Sequence, residues 1–207
     1  MLYAILHIIL KPLFKILFGL TIVGYENIPE SGGFIAAPNH RSWLDIPIVG
    51  RVLPRRMYSL SKKELCEKKS LARALYNALG AIPIDRYSVD VKALRKAAEV
   101  LKKGYPLLAF PEGTRSEDAN LGEGKKGVVY LASVSKVPIL PMGLVGVEKA
   151  MPKHAKMFKP SHIVVVVGKP FCPWEIFDSK DREFLQKATD YLMTEISQCI
   201  ERANELL

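Results

Sequence analysis

Short apolar runs alternate along the chain with longer segments in which hydrophobic residues recur every three or four positions. Phe34-Ile35-Ala36-Ala37 reads as a buried strand and precedes a helical segment from about Leu44 to Val52. A stronger helix is expected next, with Ser61 as its N-cap, Glu64 three residues later, leucines at 65, 71, 75 and 79, and Gly80 as its stop. Ile82-Pro83-Ile84 is a brief strand candidate. Ser88 then caps a helix through Lys103, with Leu94, Ala97, Ala98 and Leu101 on one face and Gly104 ending it. Leu107–Phe110 reads as a strand and residues 127–135 as a helix. Val137–Val147 and Ile163–Val167 read as strands, the second β-branched on both faces and so buried. The tail from Asp181 to Leu207 has the spacing of a long amphipathic helix. This alternation predicts an α/β fold, with a largely parallel central sheet flanked by helices. The 147–163 connection has no clear helical pattern, so its two strands are equally compatible with antiparallel pairing.

Residues 1–20 depart from this pattern. They are nearly all apolar, and His7, Lys11 and Lys15, four apart, form one narrow polar stripe on a helix. A membrane-spanning helix needs roughly 20 uninterrupted apolar residues. Two lysines with Pro12 between them disfavour that. A helix lying in the membrane interface fits better, with Leu6, Ile9, Leu13, Phe14 and Leu17 in the apolar phase and the lysines reaching toward phosphates. The alternative is a helix packed on the protein's own core. The organisation expected is a membrane-associating segment over 1–25 and one domain over 26–207.

The chain has 207 residues, 30 Lys and Arg against 21 Asp and Glu, and a formal charge of +9. Those figures describe one globular domain with an anionic partner and exclude a disordered or collagen-like chain. The three cysteines, Cys66, Cys172 and Cys199, are far apart and lack metal-ligand spacing, so neither a disulfide framework nor a metal site is expected. Residues 51–73 concentrate the positive charge, with eight Lys and Arg against Glu64 and Glu67, a local net of +6. Such a stretch suits an anionic membrane surface, an acidic carrier protein or plain solvation. It shows no basic stripe interleaved with stacking aromatics, so nucleic acid is not an expected partner.

Three polar clusters each follow a strand: Asn39–Asp45, Asp85-Arg86 and Pro111–Ser116. On parallel strands all three emerge at one carboxyl edge, where open α/β sheets bind ligands. Ser42 with Asp45 reads as a capping box, which starts the helix near Ser42 and leaves His40 in the preceding turn. From there the imidazole can fold back onto the Asp45 carboxylate, an arrangement that fixes the ring tautomer for general-base work. A helix cap beside an ordinary turn histidine explains the same spacing. In Glu112-Gly113-Thr114-Arg115, the glycine permits converging amides, the threonine adds a hydroxyl and the arginine offers a fork for phosphate; Arg86 is a second clamp. A solvated loop is the alternative.

Asn39-His40 with Asp45, GAIPIDR over 80–86, FPEGTRS over 110–116 and VPILP over 137–141 together resemble the four ordered blocks of the glycerophospholipid acyltransferases. The likeness is strongest to the bacterial 1-acylglycerol-3-phosphate acyltransferases. This resemblance implies His40 as catalytic base and Asp45 as its orienting partner. It also implies that Arg86, Glu112, Gly113, Thr114 and Arg115 hold the glycerol phosphate of lysophosphatidic acid. The acyl donor implied is acyl-coenzyme A or acyl carrier protein, with no cofactor and no acyl-enzyme. Pro138 and Pro141 either shape an acyl pocket or end a buried strand. Another lysolipid acceptor, or a non-catalytic lipid-binding module, is compatible with much of the pattern. A lipid substrate places the enzyme on the cytoplasmic face of the cell membrane, as a peripheral or monotopic protein.

Overall fold

The apolar runs pair into a seven-stranded sheet in the computed structural model, which describes residues 17–64, 80–85, 90–115, 120–152 and 158–207. The strands are β1 (Phe18–Val23), β2 (Ile35–Pro38), β3 (Tyr58–Lys62), β4 (Ala81–Ile84), β5 (Leu107–Leu108), β6 (Ile139–Val145) and β7 (Ser161–Val167). Their spatial order is β1-β7-β6-β2-β5-β3-β4. From β6 to β4 every neighbouring pair is parallel. β7 runs antiparallel to β6, placing Leu144 opposite Val165, and β1 runs parallel to β7. The helices among the described residues are α1 (Asp45–Val52), α2 (Val91–Lys102), α3 (Gly127–Ser135), α4 (Val147–Ala150), α5 (Pro173–Ile176) and α6 (Phe184–Glu205). The largely parallel sheet is therefore present. The 147–163 connection takes the antiparallel option, since a four-residue helix does not make a crossover.

The two-residue period of the strands divides the core into two layers. Ile35, Ala37, Leu107, Ala109, Ile139, Val164 and Val166 face α2, α3 and α6. Their neighbours Ala36, Leu108, Leu140, Leu144, Val165 and Val167 face α1 and α4 on the other side. Gly143 lets α6 lie directly on β6, because a β-carbon there would overlap the Cys199 and Ile200 backbone.

Four expectations change. Ser61 is not a helix cap: it is buried in β3, its hydroxyl 3.3 Å from that of Ser59. Two serines on the buried side of a strand erase the alternation that would have revealed it. Asp90, rather than Ser88, caps α2, with its side chain accepting from the Ala93 amide. Residues 18–23, read as the end of a membrane-associating segment, form the edge strand β1, and Leu17 packs against the α1-side core. Leu6, Ile9, Leu13 and Phe14 lie outside the described residues, as does most of the helix expected after Ser61. The C-terminal helix is slightly shorter than its pattern, because Asp178 and Asp181 turn the chain before Phe184. No helix among the described residues is long and apolar enough to cross a membrane.

Candidate active site

Parallel strands send their carboxyl ends to one edge, so β2, β5, β3, β4 and β6 deliver their following segments together. β2 ends at Pro38, and the chain turns at once through Asn39 and His40 into α1. Asn39 is locked to β6 by two hydrogen bonds, its Nδ2 donating to the Leu144 carbonyl (3.0 Å) and its Oδ1 accepting from the Leu144 amide (2.7 Å). It thereby continues the β2–β6 pairing with a side chain.

Asp45, the first residue of α1, is fully buried and reaches back over the turn. Its Oδ2 accepts from the amides of Arg41 (2.7 Å) and Ser42 (2.8 Å). The expected capping box does not form, because α1 starts at Asp45 with Leu44 as its N-cap and the Ser42 hydroxyl accepts from the Leu44 amide instead of that of Asp45. Asp45 Oδ2 also lies 2.7 Å from Nδ1 of His40. An ionised carboxylate only accepts, so Nδ1 carries the hydrogen and Nε2 keeps its lone pair. No described residue hydrogen-bonds Nε2. The Phe110 ring lies flat on the imidazole, centroids 3.7 Å apart and planes 15° apart. Ser42 Oγ donates to the Met151 carbonyl, which fastens the turn to α4. The ring is thus held on one face and at one nitrogen, with its other nitrogen unclaimed.

The segment after β5 supplies the rest. Gly113 has φ +71°, a left-handed conformation that favours glycine, and the aliphatic end of Lys125 and its Nζ cover it at 3.1 Å from where a β-carbon would stand. Arg115 lies with its guanidinium carbon 4.7 Å from the centre of the Trp43 ring, three residues along from His40. Its Nη1 is buried without a hydrogen-bond partner among the described residues. Thr114 is exposed, and its hydroxyl donates to the Arg115 carbonyl. Glu112 is buried, accepting from the His40 amide through Oε1 (2.7 Å) and from the Gly122 amide through Oε2 (2.9 Å). Arg86 lies outside the described residues. The structure therefore gathers His40, Asp45, Glu112, Gly113, Thr114 and Arg115 at one edge.

Beside them opens a cavity of about 680 Å³ between α2, α3 and the ends of β3, β4 and β5. Its walls are mostly apolar, including Leu60, Ile84, Leu94, Ala98, Ala109 and Leu131, and Phe110 joins it to the His40 ring. No role was assigned from sequence to Asn39, Trp43, Phe110 or Gly122. Asn39 and Phe110 stood inside the motifs that carry the family resemblance and Trp43 inside the Asn39–Asp45 cluster, whereas Gly122 carried no signal. Among the described residues no cluster of His, Cys, Asp and Glu is built to hold a metal ion. Cys172 and Cys199 are free thiols outside this site, and burial pushes the Cys199 thiol up to about 11.

The sequence pattern of the Acyltransferase family matches residues 19–145. A 1-acyl-sn-glycerol-3-phosphate acyltransferase of Bacillus subtilis is 28% identical over 200 residues, covering 95% of this chain and 96% of its own. The chloroplastic 1-acyl-sn-glycerol-3-phosphate acyltransferase LPAT1 of Arabidopsis thaliana is 32% identical over 74% of this chain, which spans 44% of that longer protein. Among solved structures, the 1-acyl-sn-glycerophosphate acyltransferase PlsC of Thermotoga maritima superposes with a TM-score of 0.77 at 28% identity, over 95% of this chain and 78% of that one.

Proposed function

Because this chain belongs to the acyltransferase family, we propose that it moves a fatty acyl chain from an acyl thioester to the free sn-2 hydroxyl of 1-acylglycerol-3-phosphate, giving phosphatidic acid. The observation that carries this reading is the His40–Asp45 pair, whose unclaimed Nε2 stands at the same edge as Arg115 Nη1, which has no hydrogen-bond partner among the described residues. Nε2 accepts the hydroxyl proton as the oxygen attacks the thioester carbonyl. The carbon–sulfur bond then breaks, and the thiolate leaving group takes that proton from the imidazolium. While the ring is charged, the buried Asp45 carboxylate compensates it at Nδ1. Arg115, with the Gly113 turn, receives the acceptor's phosphate, and Arg86, two residues after β4 in the sequence, is the second clamp. The apolar cavity takes an acyl chain, and Phe110 brings its mouth to the reacting atoms. The donor is acyl-coenzyme A or acyl carrier protein.

Purified protein, lysophosphatidate and each donor in turn test the reaction. Product phosphatidate is expected, whereas turnover of other lysolipids with none of lysophosphatidate would reassign the acceptor. The enzyme works from the cytoplasmic face of the membrane, which the apolar sequence of residues 1–16 and the net +6 of residues 51–73 support. Deleting residues 1–17 should abolish sedimentation with anionic vesicles while leaving β1 intact; undiminished sedimentation would remove the anchor from this account.

A further inference from the structure

Glu112 stands in the segment expected to hold a phosphate, yet its carboxylate is ill suited to that task on two counts. Its charge repels a phosphate. Its side chain also turns inward, and the residue is 5% exposed. Each oxygen is engaged by a main-chain amide, Oε1 by His40 at 2.7 Å and Oε2 by Gly122 at 2.9 Å. Bonds of this kind are charge-assisted, and a buried carboxylate that loses them carries the full desolvation cost.

The two amides belong to separate segments. One is the turn after β2 that carries His40; the other is the loop leading into α3. That loop is fixed from behind, because Leu121 packs on the core and Gly124 lies so close to Met193 and Thr189 of α6 that a β-carbon would overlap them. Gly122 meets the same restriction toward Glu112, since a β-carbon there would come to 2.9 Å from Oε2.

We infer that Glu112 is a positioning residue, not a phosphate ligand: its carboxylate clamps the His40 main chain to the loop before α3, and Gly122 is glycine so that the clamp can close. Asp45 orients the His40 ring and Phe110 supports its face, while Glu112 fixes the backbone from which the ring projects. The kinetic consequence rests on the acyl-transfer reading given above; the clamp itself does not.

Two variants act on the clamp from opposite sides. Glu112→Gln turns an amide NH₂ toward one of the two main-chain donors, and Gly122→Ala presses a methyl against Oε2 from outside. In acyl transfer to lysophosphatidate, E112Q should lose on the order of 10²-fold in kcat, with the acceptor KM held within about twofold. G122A should lose in the same parameter, and the double variant should be no worse than the poorer single one, as expected for two residues in one contact. In ¹⁵N-histidine spectra of the unliganded protein, the His40 ring signals should move in both variants. A raised acceptor KM at unchanged kcat in E112Q, or His40 signals that stay in place, would overturn the clamp. If the wild-type protein transfers no acyl group, the proposed reaction fails and the ring signals alone decide on Glu112.

Discussion

At the residue scale, the site depends on which polar atoms are already spent. Asp45 Oδ2 is committed to His40 and two amides, whereas His40 Nε2 and Arg115 Nη1 have no partner among the described residues. Arg115→Ala should raise the acceptor KM about ten- to hundredfold, the equivalent of roughly 1.5–3 kcal/mol for hydrogen bonds to a charged group. A KM unchanged in that variant would move phosphate recognition elsewhere. Cys199 is a contrasting case. Burial holds its thiol up to about 11, so at pH 8 the folded protein should leave Cys199 unalkylated by iodoacetamide until denaturant is added. Labelling of Cys199 at the rate of a free thiol would show that α6 does not stay packed on β6. The His40–Asp45 contact was legible from the sequence as a turn histidine folding back onto a carboxylate at the start of a helix, although α1 starts at Asp45 and not near Ser42. The engagement of Glu112 was not legible. Its partners are main-chain amides, and one of them lies ten residues away in a loop with no local signature.

At the element scale, the turn that leads into α6 makes a pH-dependent contribution. Asp181, just before α6, is held below its usual carboxylate range, first by the hydrogen bond from Lys187 and then by the Glu183 amide. Lys187 is held above its usual value by hydrogen bonds to Asp181 and then Glu183. A lowered acid stabilises the fold above its unfolded value of 3.8 and ceases to do so as pH falls through its folded value. A raised base stabilises below 10.5 and loses that contribution as pH climbs through its folded value. Asp181→Asn should therefore melt at a lower temperature than wild type at neutral pH, with the two converging as acid takes the solution below pH 3.8. A gap that stayed constant into acid would rule out the carboxylate as its cause. Elements with a strong local pattern were readable from sequence, α2 by its single apolar face and β7 as an unbroken β-branched run. β3 was hidden by its buried serines and β1 by the apolar stretch before it. In both cases long-range pairing, with β4 and β5 or with β7, supplies what local pattern lacks.

At the scale of the whole molecule, five parallel strands bring separate segments to one edge, and α6 closes the opposite layer against β6 and the loop before α3. Gly143→Ala should push α6 off the sheet and cost about 1–3 kcal/mol, the usual range for overpacking. Thermal unfolding would read this as a fall of several degrees, while an unchanged midpoint would mean the helix has room to spare. The parallel order was legible in the alternation of strands and helices; the missing crossover helix left the direction of β7 open, and its register with β6 makes it antiparallel. The account rests on an imidazole that takes a proton from a lipid hydroxyl, so the most direct test is the steady-state rate of phosphatidate formation by the wild-type protein and by His40→Ala, with folding of both verified by circular dichroism. Wild type should form phosphatidate and the folded variant should be slower by about 10²–10⁴-fold, the range that general-base catalysis supplies. A folded variant that retains near-normal turnover would contradict it.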